Sequence, residues 1–517
     1  MDVEVLESFR FMYWHSVLVF VSACLVSWYY ARTKKNPHLP PGPRGLPFIG
    51  NIFGFPGEQH WLKFAKLGDI WGDIFSLAAL GQTMIIVNSV KVAEDLLGVR
   101  GANLSNRPVV TVGGELAGFN NVLPLAQYGD RVRTERKLFH QLFGTQLAMK
   151  NFIPMMSSEV HKLLRNIALN PGGLIDEIRR TTGAIALRIA YGYQLCEGPE
   201  HDPFLEAFET MGTNFFTSAA VGAFLADTIP ILRSWPEWLP GGGFHTTAKM
   251  MSKQAHESVN TALDYVKKEI AARTAEPSFV STLLEEKSQD EYLIKWAASA
   301  IAIGGSDTTA SQIEAFFLAM TVYPDAQAAA QREIDRVVGN ERLPDISDRS
   351  QLPYVDALCK EVIRWHVVVP LAVRRTSENY TYYRDGELDP LLIPRNSLII
   401  ANIWKMAHDP ERYSNPLVFD PNRFIPTDSR AAEQDPARIC FGYGRRICPG
   451  KLLAETSVFL ACSAILAVFN ISKACENGVV IEPHVGQTTS TASHVLPFKC
   501  VVEPRNAQTL ELIQSGI

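Results

Sequence analysis

Phe441-Gly442-Tyr443-Gly444-Arg445-Arg446-Ile447-Cys448-Pro449-Gly450 sets one cysteine in a glycine-rich loop, behind an aromatic ring and beside two arginines. Positive charge and backbone N–H groups aimed at a sulfur stabilise thiolate over thiol. Gly444 and Gly450 let the backbone turn tightly and come close to that sulfur. The run Lys451 to Val468 reads as a helix, so Cys448 stands just before a helix N-terminus, whose dipole also favours an anion. The competing reading is a buried, inert cysteine, the common state of a lone one. Such a cysteine has no need of this setting, and the loop reads as one that holds a thiolate ligand.

The rest of the chain suits a large globular protein. At 517 residues it is longer than an average domain and can bury a large core. Hydrophobic residues make up 47% and charged residues 20%, which opposes disorder. A net charge of −5 argues against a nucleic-acid binder, whose surface is basic. The eight cysteines (Cys24, Cys196, Cys359, Cys440, Cys448, Cys462, Cys475 and Cys500) form no C-x-x-C pair. That suits a reducing compartment and opposes a disulfide scaffold or a zinc site.

Phe11 to Ala31 holds no carboxylate, and its polar members are His15 and a few serines. As a helix it would span about 31 Å, the thickness of a bilayer's hydrocarbon core. Tyr13, Trp14, Trp28, Tyr29 and Tyr30 lie near its ends, where amphipathic rings prefer the interface. Arg32, Lys34 and Lys35 follow it and Asp2, Glu4 and Glu7 precede it, so the positive-inside rule leaves the bulk of the chain in the cytosol. A cleaved signal peptide is the alternative; the run is long for one, and no small-x-small site precedes the basic residues. Leu39-Pro40-Pro41-Gly42-Pro43-Arg44-Gly45-Leu46-Pro47 then reads as a stiff, non-helical spacer. The expected organisation is a short lumenal N-terminus (1–10), a transmembrane anchor (11–31), a basic and proline-rich hinge (32–50) and a catalytic domain (51–517).

Beyond the hinge the fold class reads as mainly α with small β-sheets. Ile70 to Asn88 carries β-branched and aromatic runs and predicts a small sheet. Val90 to Val368 is dominated by helical spacing, and extended segments return around Tyr380 to Ile400 and Val495 to Val502. Pro324-Asp325-Ala326 opens a helix toward Val338, with Gly339 as its stop. The helix Tyr292 to Val322 is expected to be interrupted at Gly304-Gly305-Ser306-Asp307-Thr308-Thr309, because glycine weakens the helical ladder. A distortion there leaves room for a small ligand and ordered water. Glu361 and Arg364, three apart, share a helix face, a pairing that carries little weight alone.

The spacing Phe441-x-x-Gly444-x-Arg446-x-Cys448-x-Gly450 resembles the haem-thiolate signature of the cytochrome P450 family, and the resemblance runs from the hinge to Pro497-Phe498-Lys499-Cys500. It implies the P450 fold behind an N-terminal transmembrane helix, with haem b as cofactor and Cys448 as the axial thiolate on its iron. Phe441, Gly444 and Gly450 would frame the ligand. Residues 304–309 resemble the helix that crosses over the haem, which implies that Thr308 holds dioxygen and water and that Asp307 serves a proton relay. Leu352-Pro353-Tyr354-Val355-Asp356 before Glu361, with Phe419-Asp420-Pro421-Asn422-Arg423-Phe424, implies a structural network of Glu361, Arg364 and Arg423. Tyr128 to Lys137 resembles the helix whose Trp-x-x-x-Arg meets a haem propionate; Arg136 is present, but Val132 stands in the tryptophan's place and offers no donor. Arg375 and Arg446 are the other implied propionate partners. Arg131 and Arg133 read equally well as a solvated basic face; with Lys137, Arg438, Arg445 and Lys451 they can form a docking patch for an acidic electron donor.

The family layout puts substrate walls at Asn103 to Tyr128, Ala298 to Ala302, Val367 to Leu371 and Ser490 to Ser493. Phe119, Ile301, Ala302, Val368 and Val369 suggest an apolar pocket with few polar anchors, although each also reads as ordinary core. Leu343 to Trp365 and Asn402 to Phe424 resemble fungal microsomal P450s of secondary metabolism, the O-methylsterigmatocystin-oxidoreductase-like group. The implied function is a monooxygenase inserting one atom of O2 into an apolar terpenoid, polyketide or polycyclic molecule. The implied location is the endoplasmic reticulum membrane, single-pass, with the catalytic domain cytosolic. The sequons at Asn103, Asn379 and Asn470 would then stay unmodified. The sequence shows no dinucleotide fingerprint and no flavin domain, so electrons are expected from NADPH through a separate NADPH–cytochrome P450 reductase. Two rivals stand beside this reading. A reductase-independent P450 isomerase or dehydratase is opposed by Asp307 and Thr308, and a membrane haem sensor or electron carrier by the large apolar pocket.

Overall fold

The computed structural model describes residues 15–23, 26, 38–46, 49–51, 58–99, 101–196, 202–220, 222–383 and 389–515. Most of the expected anchor, 11–31, and part of the hinge lie outside them. Residues 15–23 are helical, with Leu18, Val19 and Phe20 exposed.

A helical body forms the bulk of the fold, beside one four-stranded sheet. In the sheet, β1 (Ile74–Ala79) pairs antiparallel with β2 (Gln82–Val87), β3 is Leu371–Arg375 and β4 is Leu398–Asn402. The order is β1-β2-β4-β3. β2 and β4 run parallel, Met84 opposite Leu398. A parallel pair needs a crossover connection, and here most of the helical body supplies it. Two further strands, β5 (Phe469–Lys473) and β6 (Cys500–Pro504), pair antiparallel. The extended segment expected from Val495 becomes a strand only at Cys500, because Val495 meets just one bridge partner, Gln487.

Five helices position the site: α1 (Asp130–Phe143), α2 (Leu174–Tyr191), α3 (Pro203–Ser218), α4 (Glu291–Val322) and α5 (Pro353–Trp365). A sixth, α6 (Lys451–Val468), follows the cysteine loop. α4 is capped by Asp290, which accepts from the Leu293 N–H at 2.9 Å. Its stretches 301–303 and 309–321 are buried, which fits a helix packed among several neighbours. It packs against α2, α3, α5 and α6. Gly305 faces Ala186 of α2 at a distance where an added Cβ would make ordinary contact, 3.4 Å away, and Gly304 faces open space.

The expected interruption of this helix is not present: α4 runs unbroken through Gly304 to Thr309. Burial between neighbouring helices outweighs the low helix propensity of two glycines, roughly 1 kcal/mol each. Among the described residues, α6 is the helix long and apolar enough to cross a membrane, with 18 residues and a mean hydropathy of 1.7. It is 72% buried and serves as a core helix.

Candidate active site around Cys448

The cysteine loop closes on itself: the Cys448 N–H donates to the Phe441 carbonyl at 2.8 Å. Gly444 holds a positive φ of 55°, and a Cβ there would fall 2.2 Å from the Leu97 carbonyl oxygen, so no other residue fits. The Cys448 side chain is open to solvent on one side but densely surrounded by protein on the others. Burial pushes its thiol above the ordinary range, against the Gly450 N–H bond to sulfur and the charges of Arg136 and Lys451. A cation at the sulfur would complete the thiolate.

Four guanidinium groups converge near this loop: Arg107, Arg136 of α1, Arg374 of β3 and Arg446. Burial is the main cause lowering each, and repulsion among them adds to it for Arg107, Arg374 and Arg446. Arg107 falls to about 10, Arg446 to about 9, and Arg374 well below its ordinary value. A guanidinium does not give up its proton in a protein, so this cost is relieved by anions instead. Among the described residues, neither Arg107 nor Arg374 is paired with a carboxylate; they donate to the carbonyls of Val373 and Tyr443. Arg107 Nε and Arg374 Nη1 are buried without a partner. A solvent-open cysteine sulfur beside orphaned, buried cationic donors fits a haem with its two carboxylates.

Arg374, not Arg375, belongs to this cluster. Neighbouring residues of a strand point to opposite faces. Arg374 is buried, while Arg375 lies on the other face and gives its backbone N–H to Asn106. Val132 is fully buried core, so the donors near Arg136 come from Arg107 and Arg374. Arg446 sits over the Tyr128 ring and donates to the carbonyls of Ser105 at 2.9 Å, Leu123 at 3.4 Å and Ala126 at 2.6 Å. Three of its five N–H groups thus bind the 105–126 loop.

Of the two arginines read as a basic face, only Arg133 is exposed, where it pairs with Asp130. Arg131 is drawn inward to buried Glu135 at 2.8 Å and lies 5.3 Å over the Tyr292 ring.

α5 and the segment after it carry a buried ion network. Arg364 makes a two-pronged contact with Glu361, 2.7 Å on each oxygen, and Arg423 Nε reaches Glu361 at 3.1 Å. Side-chain exposure is 2% or less for all three. Glu433 supplies a second carboxylate to Arg423 at 2.8 Å, and backbone carbonyls of Ala407, Ser414, Pro416 and Val418 take the remaining donors.

On α4 the interval Gly304 to Thr308 is half-buried between fully buried flanks. Thr308 Oγ1 donates to the Gly304 carbonyl at 2.7 Å, a back-bond one turn down the helix. Ile301 and Ala302 are buried; Val368 and Val369 are half-buried, with Val368 O accepting from the Ser493 N–H. Phe119 is core, edge-to-face with Phe215 at 5.6 Å.

Asp307 has a partner that sequence reasoning missed. His494 Nε2 lies 3.1 Å from Asp307, and its Nδ1 lies 2.9 Å from Glu314, one of whose oxygens meets Arg179 at 3.3 Å. A His one residue beyond the Ser490–Ser493 turn carried no local signal.

A family model described as Cytochrome P450 matches residues 40–494. Cytochrome P450 monooxygenase 208 of Postia placenta is 43% identical over 96% of both chains. Cytochrome P450 monooxygenase claR of Ampulloclitocybe clavipes is 41% identical over 93% of this chain and 89% of its own. Tryptamine 4-monooxygenase of Psilocybe cyanescens is 35% identical over 96% of this chain and 99% of its own.

Proposed function

The chain belongs to the cytochrome P450 family as a monooxygenase, and from that premise we propose that it inserts one atom of O2 into an apolar small molecule of fungal secondary metabolism. The convergence of Cys448 with buried arginines that have no carboxylate partner among the described residues carries this reading. Bound haem would supply the oxygen chemistry; the chain's own groups bind, orient and deliver protons.

Cys448 would ligate the haem iron as a thiolate, framed by Phe441, Gly444 and Gly450. Arg136, Arg374 and Arg107 would bind the propionates, and Arg446 fixes the 105–126 segment. Thr308 would orient dioxygen and water through its hydroxyl. Ile301, Ala302, Val368 and Val369 form the apolar wall, and their lack of charge favours a terpenoid, polyketide or polycyclic substrate. Residues 11–31 anchor the protein in the endoplasmic reticulum, 32–50 orient it, and 51–517 work in the cytosol with electrons from NADPH–cytochrome P450 reductase. The acid–alcohol pair Asp307–Thr308 supports oxygen activation over reductase-independent rearrangement, which has no use for proton delivery.

The reduced, carbon-monoxide-bound spectrum of the microsomal protein tests ligand and cofactor together. A strongly red-shifted band and reductase-dependent NADPH oxidation are expected. Folded protein without haem, or haem without that band, overturns the reading.

The propionate assignment makes a separate prediction. Removing a hydrogen bond to a charged group costs about 1.5–3 kcal/mol. Arg374→Leu should therefore speed haem loss to an apomyoglobin scavenger by roughly tenfold or more, and Arg375→Leu should leave it unchanged. The reverse order would return the propionate to Arg375.

A further inference from the structure

His494 stands between two carboxylates of α4, Asp307 on one ring nitrogen and Glu314 on the other. A neutral imidazole has one N–H, so it can donate to only one of them; donating to both requires the imidazolium. The side chain is 16% exposed, so water reaches it, whereas Glu314 is 3% exposed and fixed by Arg179 of α2. Asp307, at 36% exposed, also lines a cavity of about 280 Å³ with Arg179, Glu206, Glu209, Thr213 and Asn214.

Resting on the function proposed above, we propose that His494 is the proton donor to Asp307, with Glu314 as the anchor that holds the imidazolium in place. The His494 Nε2–H bond breaks and an O–H bond forms on Asp307 Oδ1. The imidazole becomes neutral and keeps its Nδ1–H on Glu314. Asp307, now uncharged, is released from the imidazole and turns its proton toward Thr308, and a proton taken from bulk solvent restores the His494 imidazolium.

The surroundings favour the charged ring. Burial works against it, but the hydrogen bonds and charges of Asp307 and Glu314 dominate and raise His494 to about 9. Glu314 would be raised by burial, but His494 and Arg179 hold it below the usual carboxylate range. The other titratable neighbours are Glu209 of α3, raised mainly by burial and coupled to Asp307, and buried His366, lowered to about 4. His366 is thus neutral near pH 7 and does not compete for the charge.

The test compares wild type with His494→Gln, which can hydrogen-bond but has no titratable proton. Substrate-free turnover with reductase and NADPH is followed by the H2O2 released per NADPH, since dioxygen that takes up only two electrons and two protons leaves as H2O2, whereas faster proton delivery carries it on to water. The wild type should release severalfold less peroxide than His494→Gln from pH 6.5 to 8 and approach the variant above about pH 9; the variant should stay flat. A readout independent of turnover is the denaturant midpoint of the holoenzyme. His494 has a raised folded-state pKa, so its contribution is complete below 6.5 and is lost as pH rises through about 9. The wild-type advantage over His494→Gln should shrink across that window. A pH-independent advantage, or an unchanged peroxide share, overturns the proposal.

If His494→Gln does not fold, Glu314→Gln keeps the histidine and should move the alkaline rise in peroxide to lower pH; an unmoved rise overturns it. The carbon-monoxide band separates the two readings. Its absence in wild type removes the monooxygenase chemistry, whereas its presence with an inert His494→Gln removes only the donor.

Discussion

Cys448→Ala should yield protein with no red-shifted carbon-monoxide band and monooxygenase activity reduced by more than about a hundredfold. Changes one shell out from a metal already cost about 10–100-fold, and this one removes the ligand. The loop backbone does not depend on the sulfur, because the Cys448 N–H still reaches Phe441 O and Gly444 still meets Leu97. The loss should therefore appear in the spectrum and in turnover rather than in folding. Cys440→Ala is the control. That thiol lies in the same segment, but burial pushes it up to about 12 and its sulfur contacts the Ile363 carbonyl at 3.5 Å. The band should survive there. Survival in Cys448→Ala would place the ligand elsewhere.

Glu361→Gln should cost about 3–5 kcal/mol, the usual consequence of removing one partner from a buried ion network. A domain's whole stability is about 5–15 kcal/mol, so little haem-loaded protein should accumulate. The reason lies in the partners left behind. Arg364 and Arg423 are each 2% exposed or less and would keep their charge facing mainly carbonyl oxygens and Glu433. The amide can accept from only one of them well and offers N–H groups toward the other. The denaturant midpoint of whatever folds is the measurement; a midpoint within experimental error of wild type would show that the network is dispensable.

The features legible in the sequence were those encoded within a few neighbouring residues. The cysteine loop, the start of α6 at Lys451 and the small sheet at 74–87 all follow from local spacing and turn chemistry. The unbroken α4 has the complementary reason: two glycines weaken an isolated helix, but burial of the flanking turns among neighbouring helices decides the outcome. The choice of Arg374 over Arg375 turned on which strand face looks inward, and Arg107 joins it from a loop 266 positions before its own backbone partner Val373. His494 lies 187 positions from Asp307 and 180 from Glu314. Contacts at such separations are fixed by the fold, and no window along the chain contains both partners.

The grip of Arg446 on Ser105, Leu123 and Ala126 has an evolutionary meaning. It fastens the 105–126 segment near its two ends, whereas the middle is held by other elements, with the Val112 N–H on Asp227, Glu115 on Arg233 and Asn121 beside Tyr292. If the middle is the substrate wall, mutations there can redraw which molecules are accepted while the cofactor seat stays intact. Insertions close to residue 105 or 126 would disturb both together. A family that diversifies by retuning specificity on one scaffold gains from keeping the two jobs on separable parts of one loop, and lineages of this enzyme should show their length changes between these ties.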